Sequence, residues 1–442
     1  MFFLISRPTE EELWFIIVIL FGTIAHKNKY KVKKTGYSLT VIFFFLVITS
    51  CRDSQTSLLN SGIWRAGLQT MDDQILPFNF KVIPLGKEKY TMEIYNAGET
   101  IFVDEIQMTR DSIVIKLPVF EGYIAGSYTP GRINGEFIIE SLGRRVPFTA
   151  VYGERNRFRE GSTPKSNITG DWETEFSPGM KNSYMAKGVF KQIDDRVTGT
   201  FRTVTGDYRY LEGVHHGDSL KLSTFDGSHA YLFRAKVSGS AMEGMFYSGN
   251  HFKEPFRAKR NENFELPRDD TFTFLKEGYS ELDFSFPDAE GKMISLQDSE
   301  FGDKVVIVQI MGTWCPNCLD ESRFLVEYLK ENSDKDVRVV ALAFEYAKTS
   351  EAAFKAINRL KERIGVQYPI LLAQYATTNK SLAQDKLPML NHIFSYPTTI
   401  IIDRKGQVRK IHTGFNGPAT GENYLSFKKD FHSLIGQLLA EE

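Results

Sequence analysis

Cysteine is almost missing from this chain: its 442 residues hold only Cys51, Cys315 and Cys318. Three are too few for a disulfide framework, so each thiol needs its own account. Net charge is nearly missing as well, with 54 Lys and Arg against 55 Asp and Glu, and nothing in that balance draws the chain to nucleic acid. No Met occurs between residues 2 and 70. No further cysteine or histidine lies near Cys315 and Cys318 in sequence, which withholds the two additional ligands a zinc site needs. What remains is a globular composition, 42% hydrophobic and 25% charged, long enough for two or three domains.

The first 60 residues read as an address and a tether. Lys27, Lys29, Lys31, Lys33 and Lys34 precede an apolar segment, Leu39 to Ile48, that leads into Thr49-Ser50-Cys51. A basic stretch, a short apolar core and small residues before a cut describe a signal peptide. The Ile-Thr-Ser-Cys ending resembles a bacterial lipobox, whose cysteine is lipidated and becomes the first mature residue. Residues 1–50 are therefore expected to be a lipoprotein signal, Cys51 the lipid anchor, and 51–60 a mostly polar tether. The alternative is an uncleaved signal anchor, although the segment is short for a span. A second apolar run, Leu13 to Ala25, precedes the basic cluster. Either translation starts near residue 27, at a codon other than AUG, or the signal carries an extension.

From Ser61 to about Asn263 the chain reads as short alternating strands with turn signals, such as Ile113 to Leu117, Val197 to Thr203 and Ser219 to Ser223. This region matches itself at a shift of 105 to 109 residues. Gly62-Ile63-Trp64 pairs with Gly170-Asp171-Trp172, Asp111-Ser112-Ile113 with Asp218-Ser219-Leu220, and Phe120-Glu121-Gly122 with Phe225-Asp226-Gly227. Gly135-Glu136-Phe137 and Pro147-Phe148-Thr149-Ala150 find partners at Gly244-Met245-Phe246 and Pro255-Phe256-Arg257-Ala258. Two β repeats, 61–160 and 161–263, are expected, each with seven or eight strands, as antiparallel barrels or a sandwich. The opening Gly-x-Trp before a meander resembles lipocalin-type barrels. Tyr184, Phe190, Phe201, Tyr208, Tyr210, Tyr231 and Phe233 are either core residues or the lining of a ligand cavity. His215-His216 reads as a solvated loop rather than a metal site, since no thiol or dense carboxylate cluster accompanies it.

The chemistry concentrates in Val305 to Glu321. Val305 to Met311 is a buried strand, Gly312-Thr313 breaks it, and Trp314-Cys315-Pro316-Asn317-Cys318 leads into a helical pattern. At a helix N-terminus, free N–H groups and the helix dipole favour a thiolate at Cys315. Pro316 suits the first helical position, and Cys318, about one turn on, is placed to resolve a mixed disulfide. Half a zinc site or a structural disulfide are the rival readings of the cysteine pair. A charged linker, 264–280, containing Pro267, Arg268, Asp269 and Asp270, precedes an α/β pattern over 281–442. Its parts are strands at Val337 to Phe344 and Tyr368 to Ala373, a helix capped by Thr349 or Ser350 and ending before Gly365, and a short helix from Ser381 to Leu387. A hairpin of Thr398 to Asp403 and Val408 to Thr413 and a last helix from Asn423 to Leu439 complete it.

Residues 280–442 resemble the thioredoxin superfamily, and within it the membrane-tethered TlpA/ResA-type thiol–disulfide oxidoreductases. The stretches that carry the resemblance are Phe286-Pro287-Asp288-Ala289-Glu290-Gly291, Gly312 to Cys318, and Tyr396-Pro397-Thr398-Thr399 with the hairpin after it. The resemblance implies that Cys315 attacks, Cys318 resolves, and Pro397 is cis and packs against the pair. It also implies that Glu321, three residues past Cys318, tunes the cysteines, and that Trp314, Pro316, Tyr396 and Thr398 contact substrate. Two positions depart from thioredoxin: Gln309 stands where a buried acid is usual, and Pro-Asn separates the cysteines.

The expectation is therefore a multi-domain protein, an all-β repeat region followed by an α/β thioredoxin-like domain. It is lipid-anchored in a bacterial cell envelope and faces the periplasm. It works as an oxidoreductase on protein disulfides, fed by an upstream membrane electron donor, with no metal, no nucleic acid and no cofactor beyond a Cys315–Cys318 redox disulfide. One alternative is a peroxiredoxin-like peroxidase, although Gly312 occupies the place of the peroxide-orienting Thr. The other is a ligand-binding surface lipoprotein with subordinate redox activity.

Overall fold

In the computed structural model, residues 59–86, 89–267, 271–377 and 379–441 are described. Cys51, the expected signal and Arg268 to Asp270 of the expected linker lie outside the described residues. No helix among the described residues is long and apolar enough to cross a membrane.

The first repeat is a nine-stranded antiparallel sheet running from Gly62–Gln69 to Arg144–Tyr152. Its first strand pairs with both Ile75–Gly86 and the last strand. Its edge strands, Glu99–Val103 and Glu105–Met108, are separated in the chain only by Asp104, so the sheet rolls until its edges meet. The second repeat, Gly170–Phe176 to Phe252–Arg260, closes outright. Gly170–Phe176 pairs with Phe252–Arg260 and with Tyr184–Ile193, which in turn pairs with Arg196–Thr203. Closure of this kind leaves no open sheet edge. Internal symmetry is visible in the geometry. Trp64 and Trp172 are both fully buried, and each donates from Nε1 at 2.9 Å to the carbonyl four residues earlier, of Asn60 and Ile168.

Both interiors are filled. In the second barrel Phe176, Phe201 and Phe233 pack at centroid distances of 5.4, 6.3 and 4.8 Å, each buried ring contributing roughly 1.5–3 kcal/mol. The aromatic residues divide accordingly: Phe190, Phe201 and Phe233 are core, whereas Tyr184, Tyr208 and Tyr231 line a cleft at the barrel's mouth. The expected solvated loop at His215-His216 is corrected. Both belong to the strand Leu211–His216, whose alternation turns His215 inward, buried with Nδ1 3.3 Å from Gln192 Oε1, while His216 Nε2 lies 2.8 Å from Asp195.

The segment expected as a linker is tied down on both sides. Glu265 pairs with Lys187 at 2.7 Å, Phe272 stacks on Phe394, and Leu275 bridges to Leu390. Beyond it lies a five-stranded mixed sheet in the order Ile370–Gln374, Val337–Phe344, Val305–Met311, Thr398–Ile402, Val408–Thr413. The first three strands are parallel and the last two antiparallel. Val305, Ile307 and Met311 face a core shared with the helices Pro316–Glu331, Ser350–Ile364 and Glu422–Ala440. Val306, Val308 and Ile310 face the opposite core, with the short helix Lys380–Gln384. That is the pattern of a strand covered on both faces. Thr349 caps the second long helix by accepting from the Ala352 amide, and Gly365 ends it at φ +74°. The fold class is as expected: all-β barrels followed by a thioredoxin-like α/β domain.

Arg209 ties the three bodies together. It is 2% exposed. Its guanidinium donates to Glu99 of the first barrel at 2.6 Å and to Asp320 on the helix Pro316–Glu331, and its Nε lies 3.6 Å from Asp226 of the second barrel. A second brace joins Arg363 to Asp104 at 2.9 Å and Arg359 to Glu105 at 2.6 Å. Removing one partner of a buried charge cluster strands the others without counter-charge. Arg209→Ala is therefore expected to lower the unfolding free energy by roughly 3–5 kcal/mol, read from urea titration of the full chain. A change no larger than that of an exposed Arg→Ala control would mean the cluster is not what holds the bodies together.

Candidate active site

Every residue of the strand Val305–Met311 is buried, which fixes the point at which the chain emerges. Gly312 follows because a Cβ there would collide with the Trp314 indole and the Phe344 carbonyl. Thr313 then hangs from a buried acid: its amide and Oγ1 donate to Glu345 at 2.8 and 2.7 Å. Trp314 donates from Nε1 to the Phe344 carbonyl at 2.9 Å and stacks on Tyr346 at 4.0 Å. Cys315 is the N-cap of the helix Pro316–Glu331, with Pro316 in the first turn.

The Cys318 amide donates to Cys315 Sγ at 3.2 Å, a contact that strengthens when the sulfur is ionised. Cys315 Sγ lies 3.5 Å from the Tyr396 carbonyl, and the Tyr396–Pro397 peptide is cis. Cys315 is 7% exposed and Cys318 fully buried, both as free thiols. Burial pushes the Cys318 thiol well up, and the neighbouring Cys315 and Glu321 add to the effect.

Behind Cys318 sits a second buried network. Glu321 accepts from Thr399 Oγ1 at 2.6 Å and from Gln309 Nε2 at 2.9 Å. The same Gln309 nitrogen lies 3.4 Å from the Cys318 carbonyl, and Gln309 Oε1 accepts from Ser322 at 3.1 Å. Burial raises the Glu321 carboxyl, with the Thr399 and Gln309 hydrogen bonds opposing it. The structure thus brings Trp314, Cys315, Pro316, Cys318, Glu321, Tyr396 and Pro397 into one place. Thr398 is the exception and a correction. It is fully buried between two strands with its hydroxyl on the Ser395 carbonyl at 2.9 Å, because the strand it begins turns it into the sheet, away from any substrate. Sequence reasoning did not find Thr399 or Glu345. Glu345 directly follows the strand Val337–Phe344 beside Val305–Met311, and that adjacency in the parallel sheet was its only signal.

This arrangement is the site of a thioredoxin-like oxidoreductase, and comparison with known proteins agrees. The Redoxin family model matches residues 276–425. The thioredoxin-like protein YneN of Bacillus subtilis (strain 168) is 33% identical over 140 residues, covering 32% of this chain and 73% of that protein. The thiol-disulfide oxidoreductase ResA of the same organism is 27% identical over 157 residues, covering 35% and 77%. Among solved structures, a putative thiol:disulfide interchange protein DsbE from Chlorobium tepidum aligns with 37% of this chain and 100% of its own at 19% identity, with a TM-score of 0.28. The chain belongs to the thioredoxin superfamily, as a ResA/TlpA-type thiol–disulfide oxidoreductase.

Glu345 gives the site a pH signature. Burial raises its carboxyl from 4.5 to about 7, and the two Thr313 hydrogen bonds offset only part of that. The folded chain therefore holds a proton that the unfolded chain releases, so stability falls as pH rises between the two values and levels off above about 7. Glu345→Gln keeps a neutral side chain at every pH. Its melting temperature relative to wild type is expected to climb between pH 4.5 and 7.5, approaching about 3 kcal/mol of relative stabilisation. A difference that stays flat with pH would contradict the buried-acid account.

Proposed function

We propose that the protein is a lipid-anchored reductase of partner-protein disulfides on the periplasmic side of a bacterial envelope, recharged by a dithiol donor in the membrane. The observation that carries this reading is the position of Cys315 Sγ, which caps a helix, accepts the Cys318 amide and faces Tyr396–Pro397. In the proposed cycle, the Cys315 thiolate attacks one sulfur of the substrate disulfide. The substrate S–S bond breaks, a mixed disulfide forms, and the other substrate sulfur leaves and takes a proton. Cys318 then passes its proton to Glu321, and its thiolate attacks Cys315 Sγ. The second substrate sulfur leaves and is protonated in turn. Two electrons have moved to the substrate, and the Cys315–Cys318 disulfide waits for the donor dithiol.

Gln309 supports the role given to Glu321, since it bridges that carboxylate to the Cys318 backbone. Trp314, Pro316 and Tyr396 shape the surface that substrate meets, and no cofactor beyond the dithiol enters the cycle. Two rival readings lose support. The Thr313 hydroxyl, which a peroxidase would need for peroxide, is committed to Glu345. The barrel interiors, which a ligand-binding lipoprotein would use, are filled by aromatic cores.

The Cys315–Cys318 pair of the full chain is expected to equilibrate near roughly −270 mV, as thioredoxin does; a potential toward roughly −120 mV would make it an oxidant and reverse the direction. Cys318→Ser is expected to accumulate a mixed disulfide with substrate, and Glu321→Gln to slow its resolution about 100-fold, both followed by quenched-flow thiol trapping. Anchoring is tested separately. Metabolic labelling with an alkyne-tagged fatty acid should mark the wild-type chain and not Cys51→Ala; equal labelling of the two would remove the anchor from the proposal.

A further inference from the structure

The face through which Cys315 reaches its surroundings is already occupied by the second barrel. Asn317 donates from Nδ2 to the Asp207 carbonyl at 3.3 Å, Ser395 from Oγ to the Thr205 carbonyl at 3.1 Å, and Ser228 from Oγ to the Trp314 carbonyl at 2.9 Å. Gly206 forms a β-bridge with Phe415 and lies so close to Asn317 that a Cβ on it would overlap that side chain. The strap Thr203–Arg209 therefore touches the dithiol turn, the cis-proline loop and the loop after the last strand. A folded partner needs about 800 Å² of clear surface on each side for a stable contact, and around Cys315 that surface is taken.

What remains open is a cleft of about 710 Å³ between the barrel mouth and the dithiol, inside the roughly 300–1,000 Å³ range of ligand pockets. One wall is Trp314 with Tyr346 stacked on it and Tyr396 edge-on at 5.6 Å. The opposite wall is Tyr231, with His229 stacked on it at 4.5 Å. Deeper in the barrel mouth, Tyr184 donates to the buried Glu254 at 2.7 Å, and Tyr208 lines the same cleft. At the rim stand Phe252, 41% exposed, and the exposed Lys380.

We propose that this cleft is the substrate-binding site and that it takes an extended, disulfide-bearing peptide segment with an aromatic or aliphatic residue beside the cysteine. Size excludes a folded surface and admits a few residues of extended chain. Two aromatic walls face an apolar side chain, and the Glu254 carboxylate with its phenols offers acceptors to backbone N–H groups. Cys315 lies between the walls, so a segment threaded through the cleft presents its disulfide to Sγ. The second barrel thereby selects flexible segments over disulfides held on rigid domains. The proposal rests on the reductase reading, and the step is the balanced exchange given above.

The test compares the reduced full chain on two substrates carrying the same disulfide: an unstructured eight-residue peptide with a flanking Tyr, and that peptide grafted rigidly onto the surface of a helical bundle. The expected result is a kcat/KM higher by about tenfold or more for the free peptide. Tyr231→Leu should raise KM for the peptide about tenfold, and the surface variant Phe252→Ala about threefold, with kcat changed less than twofold. Equal kcat/KM on the two substrates would overturn the proposal, as would an unmoved KM in Phe252→Ala together with any folded Tyr231→Leu. Reduction of the oxidised chain by dithiothreitol is measured alongside. If that exchange fails, the reductase reading falls; if it succeeds without substrate preference, only the cleft does.

Discussion

A single buried guanidinium sets the geometry on which the rest of the molecule depends. Arg209 is held in a left-handed backbone conformation at φ +63° and meets carboxylates from the first barrel, the second barrel and the helix that carries the dithiol. Burying one cation is costly unless its partners are close and fixed. Glu99, Asp226 and Asp320 meet that condition only when all three bodies sit in one arrangement. The cluster is thus a position lock more than a source of stability. Asp320 lies two residues past Cys318, so locking it also fixes how the second barrel's mouth faces the thiols.

The dithiol is suspended between two buried acids rather than one. Glu345 holds the chain ahead of Cys315 through Thr313, and Glu321 sits behind Cys318 through Gln309 and Thr399. Burial raises both carboxyls. Their charge states differ in consequence. Glu345 has no hydrogen-bonding link to either sulfur and sets the shape of the turn, whereas Glu321 is among the groups that push Cys318 up. Gln309 fits this scheme. Thioredoxin's buried acid at that place would put a second charge beside Glu321, while an amide donates to Glu321 and accepts from Ser322 without adding one.

How much of this was legible in the sequence follows from distance along the chain. The strand–Cys-Pro-Asn-Cys–helix unit was readable because its determinants are contiguous: six apolar residues in a seven-residue strand, a glycine break, a capping thiol and a proline in the first turn. The repeat was readable because five motifs recur in order. His215 was misread although its strand alternates cleanly, Leu211, Gly213 and His215 inward; residue type outweighed period in that judgement. The Arg209 cluster could not be read, since its partners lie 110, 17 and 111 positions away and charged residues are usually solvated. Thr398 was assigned by its neighbourhood to Pro397, and the alternation of the strand it opens decides otherwise.

The two barrels show how a duplicated scaffold comes to act on a neighbouring site. In the first copy the strands Lys89–Asn96 and Glu99–Val103 are joined by the tight turn Ala97-Gly98. In the second copy the corresponding strands, Arg196–Thr203 and Gly206–Asp207, are joined by the equally tight turn Val204-Thr205, and the chain runs on through Tyr208 to Tyr210 into Leu211–His216. The backbone groups through which the second barrel meets Asn317, Ser395 and Phe415 belong to that turn and the short strand after it, Thr205 to Asp207, and Arg209 follows two residues on. The chain from Asn96 to Ser112 in the first copy is as long as that from Thr203 to Ser219 in the second, so the difference lies in the residues and not in added length. The barrel around that turn stays closed and its core filled. A change of residues at unchanged length therefore places the second barrel over the dithiol without disturbing the fold, while the first copy remains a brace.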